Sequence, residues 1–369
     1  MSRKLVSAFA GVLFLMLLFV FPLTATGQST VCDPNTDYLK EADQLMQAED
    51  FTAALAAYQC AIQIKPDEFI AYQSGVEAAL RAGDFMAMAE INFLMLHRFG
   101  GKAFENVLTH YDQVLKANPD DAWANVYSAY YLMQAGMFRQ ALTNVDHAIA
   151  LGLDNASVRI IRWGVNYWMQ KPDDAAADYE KAAAFDPKNP GIVFNMAMSS
   201  FFGQELTNAN SYLDETAQLG ATSPLVTLFM GDVDAAAGDA ALAAQHYLDY
   251  MALVAPTVVP AGTLVLNERL TVPVHPGETY HFSVDLKVGE VWKVNTSVGF
   301  KAPWMDPVLV LLAPDGTPLI GNNDDLPGEP AGNAALTYTP EVTGTYTLVM
   351  TTYAGIGEGT VKLVAELPK

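Results

Sequence analysis

Cysteine and positive charge are what this chain has least of. Cys32 and Cys60 are its only two cysteines in 369 residues, too few and too far apart to build a thiolate metal site. Twenty Lys and Arg stand against 41 Asp and Glu, a net charge of -21. Phosphate backbones are held by clustered bases, so nucleic acid is excluded as a partner. The six histidines, His97, His110, His147, His246, His275 and His281, are scattered, and neither HExxH nor GxSxG occurs. Nothing in the sequence provides a nucleophile or a ligand spacing, and the expectation is a protein that is not an enzyme.

Long apolar runs are also scarce, with one exception at the start. Arg3 and Lys4 precede an apolar stretch from Leu5 to Phe21, followed by Ala25-Thr26-Gly27. A short basic segment, an apolar core and a small-x-small end describe a secretory leader. Residues 1–27 are therefore read as a signal peptide, or as an uncleaved anchor since about 17 residues reaches the lower limit for a span. The expected location is extracytoplasmic, secreted or periplasmic, with membrane contact only through this segment. Export suits a Cys32–Cys60 disulfide, because one cysteine precedes the first helix and the other lies near the end of its antiparallel partner. Such a bridge stabilises by about 3 kcal/mol; the alternative is two separate small hydrophobes.

What the chain has in abundance is periodicity. Similar helical pairs begin at Asn35, Phe69, Ala122, Ala156, Pro190 and Pro224, a spacing of 34 residues with one insertion of 19. Small residues recur where helix backbones must approach: Ala42, Ala129, Ala197 and Gly231 in first helices, and Ala54, Ala141, Ala175, Ala209 and Ala243 in second helices. The intervening turn carries Gly83, Gly136 and Gly238, where glycine tolerates left-handed dihedrals. Tyr58, Tyr179, Leu213 and Tyr247 fill the space between helices, and Pro66 and Pro187 stop the second helix. In length and in this residue order the pairs resemble the tetratricopeptide repeat. The resemblance implies an α-solenoid over residues 28–258. Residues 103–121 read as a lone second helix, and Trp163 stands where a small residue is expected, which suggests one residue lost from the turn near Gln170.

The resemblance further implies that first helices line a concave surface that holds protein or peptide partners. Its side chains would be Tyr127, Tyr130, Trp168, Phe194, Asn195, Met198, Phe201, Phe202 and Phe229. The competing expectation for each is packing between repeats. Chaperone-binding members clamp a carboxylate with lysine, arginine and asparagine on this face, whereas the corresponding residues here are mostly apolar. Acidity is concentrated in residues 28–258, with 29 acids against 12 bases, which favours a basic partner and salt-sensitive binding.

Near Ala255-Pro256-Thr257 the helical period ends, and Val, Thr, Tyr and Gly alternate in polarity. Seven strands are expected, within Thr263 to Val272, Thr279 to Leu286, Glu290 to Ser297, Pro307 to Leu312, Ala335 to Thr339, Gly344 to Thr352 and Thr360 to Glu366. An antiparallel sandwich over residues 259–369 accounts for them. Three stretches, DPVLVLLAPDG from Asp306, NNDD from Asn322 and TGTYTLV from Thr343, resemble the bacterial pre-peptidase C-terminal domain, a jelly-roll-like accessory module of secreted proteins. Asp306, Asn323, Asp324 and Asp325 supply the hard oxygens that Ca²⁺ prefers, although Asp and Asn are also ordinary turn residues. The leading functional expectation is an exported scaffold holding a protein or peptide. The alternative is carbohydrate or envelope binding by the sandwich, through a platform of Trp292, Trp304 or Tyr353. The last helix of a solenoid exposes an apolar face, so the sandwich or the segment Ala255 to Pro260 is expected to cover Leu248, Met251 and Leu253.

Overall fold

The computed structural model describes residues 32–99, 102–221, 223–298, 306–323, 334–352, 355 and 359–367. The expected leader lies outside them. They contain thirteen helices followed by nine strands, a tetratricopeptide-like helical solenoid and then a two-sheet β-sandwich. By contact they fall into two compact units, which meet between Ile192 and Val193.

The first unit holds α1 (Tyr38–Gln47), α2 (Phe51–Ile64), α3 (Phe69–Ala82), α4 (Phe85–Phe99), α5 (Lys102–Ala117), α6 (Ala122–Gln134), α7 (Phe138–Ala150), α8 (Ala156–Trp168) and α9 (Pro172–Phe185). Helices begin where the sequence supplies caps. Asp37, Asp50, Asp121 and Asn155 each accept a hydrogen bond from a backbone N–H in the first turn, each cap contributing about 1 kcal/mol. The small residues sit where backbones meet: Ala42, Ala54, Ala129 and Ala141 are fully buried. Cys32 and Cys60 form a disulfide with their Cα atoms 5.6 Å apart, tying the entry of α1 to the end of α2. The 19-residue insertion is the lone helix α5.

In every hairpin of this unit, and in both hairpins that follow, the turn residue is left-handed: Glu49 (φ 60°), Gly83 (73°), Gly136 (72°), Gln170 (58°), Gln204 (62°) and Gly238 (88°). Gln170 lies 34 residues after Gly136 and 34 before Gln204, so the fourth turn keeps full length. The expected deletion is not there. Trp163 instead occupies the small-residue position and is buried, while Gly164 beside it takes the close approach, with Met133 Sδ only 2.8 Å from where a Cβ would stand.

α10 (Pro190–Phe202) begins in the first unit and continues into the second. The second unit adds α11 (Leu206–Gln218), α12 (Pro224–Ala237) and α13 (Ala240–Val254). Its strands are β1 (Thr257–Thr263), β2 (Arg269–Val274), β3 (Glu278–Leu286), β4 (Trp292–Val298), β5 (Pro307–Leu312), β6 (Pro318–Asn322), β7 (Ala335–Tyr338), β8 (Gly344–Thr352) and β9 (Gly359–Glu366). They form sheets of order β1-β3-β8-β5-β6 and β2-β9-β4-β7. Trp292, Val294, Phe282, Tyr346, Leu348, Met350, Leu309, Leu311, Val361 and Leu363 meet between them as one core.

Two strands went unread in the sequence. β1 carries Pro260 and Gly262, a linker composition, yet it pairs in parallel with β3, with a register shift after Pro260. The sandwich is thus antiparallel apart from this edge. β6 is short and follows the Asp315-Gly316 turn, pairing with β5 at the other edge.

Within this unit α13 lies against β5 and β6. Tyr247 is the centre of that junction. Its ring fits between two glycines: a Cβ on Gly231 of α12 would come within 2.6 Å of it, and a Cβ on Gly321 of β6 within 2.5 Å. The Tyr247 hydroxyl donates to Asp232 at 2.8 Å, and Asn323, just beyond β6, donates to the same carboxylate oxygen at 2.6 Å. Met251 is buried as expected of a covered face, whereas Leu253 stays half exposed.

Candidate partner-binding surface

In the first unit the first-helix aromatics turn inward. Tyr127 and Tyr130 of α6 are buried. The ring of Tyr127 lies 5.6 Å from that of Trp123 and 5.6 Å from that of Tyr111. Tyr111 belongs to the lone helix α5, and its hydroxyl donates to the carboxylate of Glu77 on α3, which also accepts from Gln73 at 3.2 Å. Burial pushes the Glu77 carboxyl above its ordinary range, against the pull of these donors and of nearby His110 and Arg81. The Arg81 guanidinium lies over the rings of Phe51, at 4.3 Å, and Trp123, at 4.9 Å.

Later segments come back onto the end of α3. Ser157, at the start of α8, donates to the Leu80 carbonyl at 2.5 Å, and Asn189 donates to the Gly83 carbonyl at 2.7 Å. The lone helix α5 joins α3 and α6 through Tyr111, whose ring also lies 6.3 Å from that of Tyr131. Of the three expected surface residues in this unit, only Trp168 stays partly exposed; it packs edge-on against Tyr167 at 5.6 Å.

A second buried polar group lies farther along. Asp178 of α9 is 1% exposed and accepts from Arg159 Nη1 at 3.0 Å, Arg162 Nη1 at 2.7 Å and Asn166 Nδ2 at 3.0 Å. Arg159 also holds Asp154 through two contacts of 2.5 Å, which keep the Asp154 carboxyl below its usual range. Arg159, Arg162 and Asn166 follow at intervals of three and four, so α8 presents them on one side. This network replaces ordinary apolar packing: Asp178 is inside and the expected filler Tyr179 only half buried. The sequence signal was that spacing of two arginines and an asparagine, which the period-based reading passed over.

In the second unit Phe194, Phe201 and Phe229 are fully buried. Phe229 meets Phe194 at 5.5 Å and Phe201 at 5.8 Å, both edge to face, the preferred geometry for rings. These three act as packing. Asn195, Met198 and Phe202 differ: they recur at i, i+3 and i+7 along α10 and all remain partly exposed. Phe202 rests on the buried set, 5.4 Å from Phe201 and 6.3 Å from Phe229. Its ring is therefore held in place from below.

The sandwich residues separate likewise. Asp306 and Asn323 are both buried, and Asn323 serves the Asp232 junction; Asp324 and Asp325 lie outside the described residues. Among the described residues no three carboxylates, histidines or cysteines are grouped to hold a metal ion. Trp292 is fully buried in the sandwich core and offers no platform, while Trp304 and Tyr353 lie outside the described residues. Two histidines are paired with acids, His246 Nδ1 with Asp234 at 2.7 Å and His147 Nε2 with Asp120 at 3.0 Å. Among the described residues no helix is long and apolar enough to cross a membrane.

No family model and no curated protein matches the chain. Among solved structures it is similar to PilW, a type IV pilus biogenesis factor, at 16% identity, TM-score 0.35, over 59% of this chain and 91% of that one. It is also similar to a tetratricopeptide repeat protein from Parabacteroides merdae, at 11% identity, TM-score 0.38, over 59% and 92%. A third is YrrB, a TPR protein with an unusual peptide-binding site, at 15% identity, TM-score 0.31, over 53% and 92%.

Proposed function

We propose that the chain is an exported, non-catalytic scaffold that binds a protein or peptide along α10. The observation that carries this reading is the stripe Asn195, Met198 and Phe202, partly exposed on a helix whose other aromatics, Phe194 and Phe201, are buried. A thioether beside a ring supported from beneath offers two adjacent apolar contacts. Such a surface binds a side chain at low entropic cost, because the ring is already fixed. The acidic excess of residues 28–258 favours a basic partner and binding that weakens as salt rises.

Export is supported by the leader-like start and by the Cys32–Cys60 disulfide, which persists in oxidising compartments. The two-sheet sandwich and its Asp315-Gly316 turn support the likeness to a pre-peptidase C-terminal domain, an accessory module in this reading.

Titration of a set of extended lysine-containing peptides at low and high salt tests the proposal. Met198→Ala with Phe202→Ala is expected to weaken the best peptide about tenfold, the loss typical of removing a central contact, with a modest fall in melting temperature because Phe202 also rests on Phe201 and Phe229. Equal binding by this variant and the parent would overturn it.

A further inference from the structure

Four of the exposed large apolar side chains gather at one end of the sandwich. Val265 lies in the β1–β2 loop, Val288 and Val291 between β3 and β4, and Val342 between β7 and β8; they are 44 to 58% exposed. The register places these loops together. β3 ends at Leu286, opposite Gly344 where β8 starts, and β5 ends at Leu312, opposite Thr347 of β8. α13 and its neighbours meet the other end, where Thr279 donates to the Ala255 carbonyl and Tyr247 packs on Gly321. The valine end faces away from the helices of its own unit.

The loops are tied to the frame. Gly289 N–H donates to the Pro340 carbonyl at 2.9 Å, Val288 N–H to Thr343 Oγ1 at 3.0 Å, and Asn267 N–H to the Ala365 carbonyl at 2.7 Å. A fourth loop, the Ala313–Thr317 turn, is closed by its own backbone bonds and by Asp315 accepting from Thr317 N–H. Each of the four loops also presents one exposed carboxylate, from Glu268, Glu290, Asp315 and Glu341; the bases at this end are Lys287 in its loop and Arg269 and Lys293 at the adjoining starts of β2 and β4. Exposed apolar groups on tied loops, each with a carboxylate in the same loop, have the mixed apolar and charged composition of an interface.

We propose that this end of the sandwich docks a protein surface whose apolar centre is ringed by lysine or arginine. Charge complementarity selects that occupant. An anionic bilayer would be repelled by four carboxylates, and a sugar would need an aromatic face, which none of the four loops carries. This surface is separate from the α10 stripe.

The test uses the full chain, a helical peptide of repeating leucine and lysine, its leucine and glutamate counterpart, and phosphatidylcholine and phosphatidylglycerol vesicles. Val288→Ser with Val342→Ser is expected to weaken the lysine peptide about tenfold with unchanged melting, and Glu290→Gln with Glu341→Gln to flatten the salt dependence. Phe202→Ala is expected to leave this binding in place, which separates it from the α10 reading. The proposal is overturned if the valine variant binds the lysine peptide as the parent does or if the glutamate peptide binds equally. Vesicle binding lost with the valines, or loss of a self-associated form in that variant, would overturn it too, by assigning the surface to lipid or to a second copy.

Discussion

Three of the six hairpin turns place a residue with a Cβ in the left-handed region: Glu49, Gln170 and Gln204. A non-glycine residue there costs about 1 kcal/mol or more, because its Cβ crowds the following carbonyl. The fold accepts this because the helices on both sides fix the turn, and the same position is glycine in the other three hairpins. Gln170→Gly and Gln204→Gly are each expected to stabilise the chain by about 0.5–1 kcal/mol, read as a shift in urea midpoint at constant slope. No change or a loss would mean that the glutamine side chains hold contacts worth the strain. At this scale the glycine turns were legible in the sequence. The glutamine turns were not, because glutamine gives no sign of positive φ unless the 34-residue count is trusted over residue type. The deletion expected near Gln170 rested on the bulk of Trp163 at a small-residue position, which the structure accommodates through Gly164 beside it with no change in turn length.

At the scale of helices, the joint between α3 and the lone helix α5 is a carboxyl group in a tyrosine shell. Glu77 is raised by burial above the value it has in the unfolded chain. The folded state therefore binds its proton more tightly, so the associated stability is full below the unfolded value. It falls as pH climbs from there through the folded value. Glu77→Gln keeps an acceptor for Tyr111 and Gln73 but carries no charge. Denaturation at pH 4 and pH 7.5 is expected to show the variant gaining on the parent at the higher pH and losing that advantage at the lower one. A pH-independent difference would place the group's proton affinity at its ordinary value. The element itself was readable, as a lone helix in the 19-residue insertion. Its role was not, since periodicity marks which residues are apolar but cannot say that Tyr111 reaches back to α3. The Asp178 network escaped for the same reason: charged residues inside a helical repeat are taken for its wet side until a partner helix is seen to cover them.

For the molecule as a whole, the helical start points, the disulfide and seven of nine strands followed from spacing and composition, because each depends on local chemistry. The change from helix to strand, between Val254 and Thr257, followed as well; the sharing of one core across it did not. The sequence changes character near Ala255, but contact does not: α12 and α13 share one compact unit with the strands, joined by the Tyr247 ring between Gly231 and Gly321 and by Asp232. The nine residues expected to face a partner lie on α6, α8, α10 and α12, and five of them, Tyr127, Tyr130, Phe194, Phe201 and Phe229, are buried. The sequence could not tell Phe202 from Phe201, since neighbours on a helix point about 100° apart and only the packing decides which is covered.

That shared ring has a practical consequence for anyone who divides this protein. A fragment beginning at residue 259, where composition suggests the cut, would present Gly321 and neighbouring β6 atoms as a bare socket with nothing to plug it. Such a piece is expected to elute as aggregates from a sizing column, while one that starts at residue 188 and retains α10, α11, α12 and α13 stays monodisperse, since Phe194 and Phe201 keep Phe229 covered. If both pieces ran as clean monomers, the tyrosine plug would be dispensable.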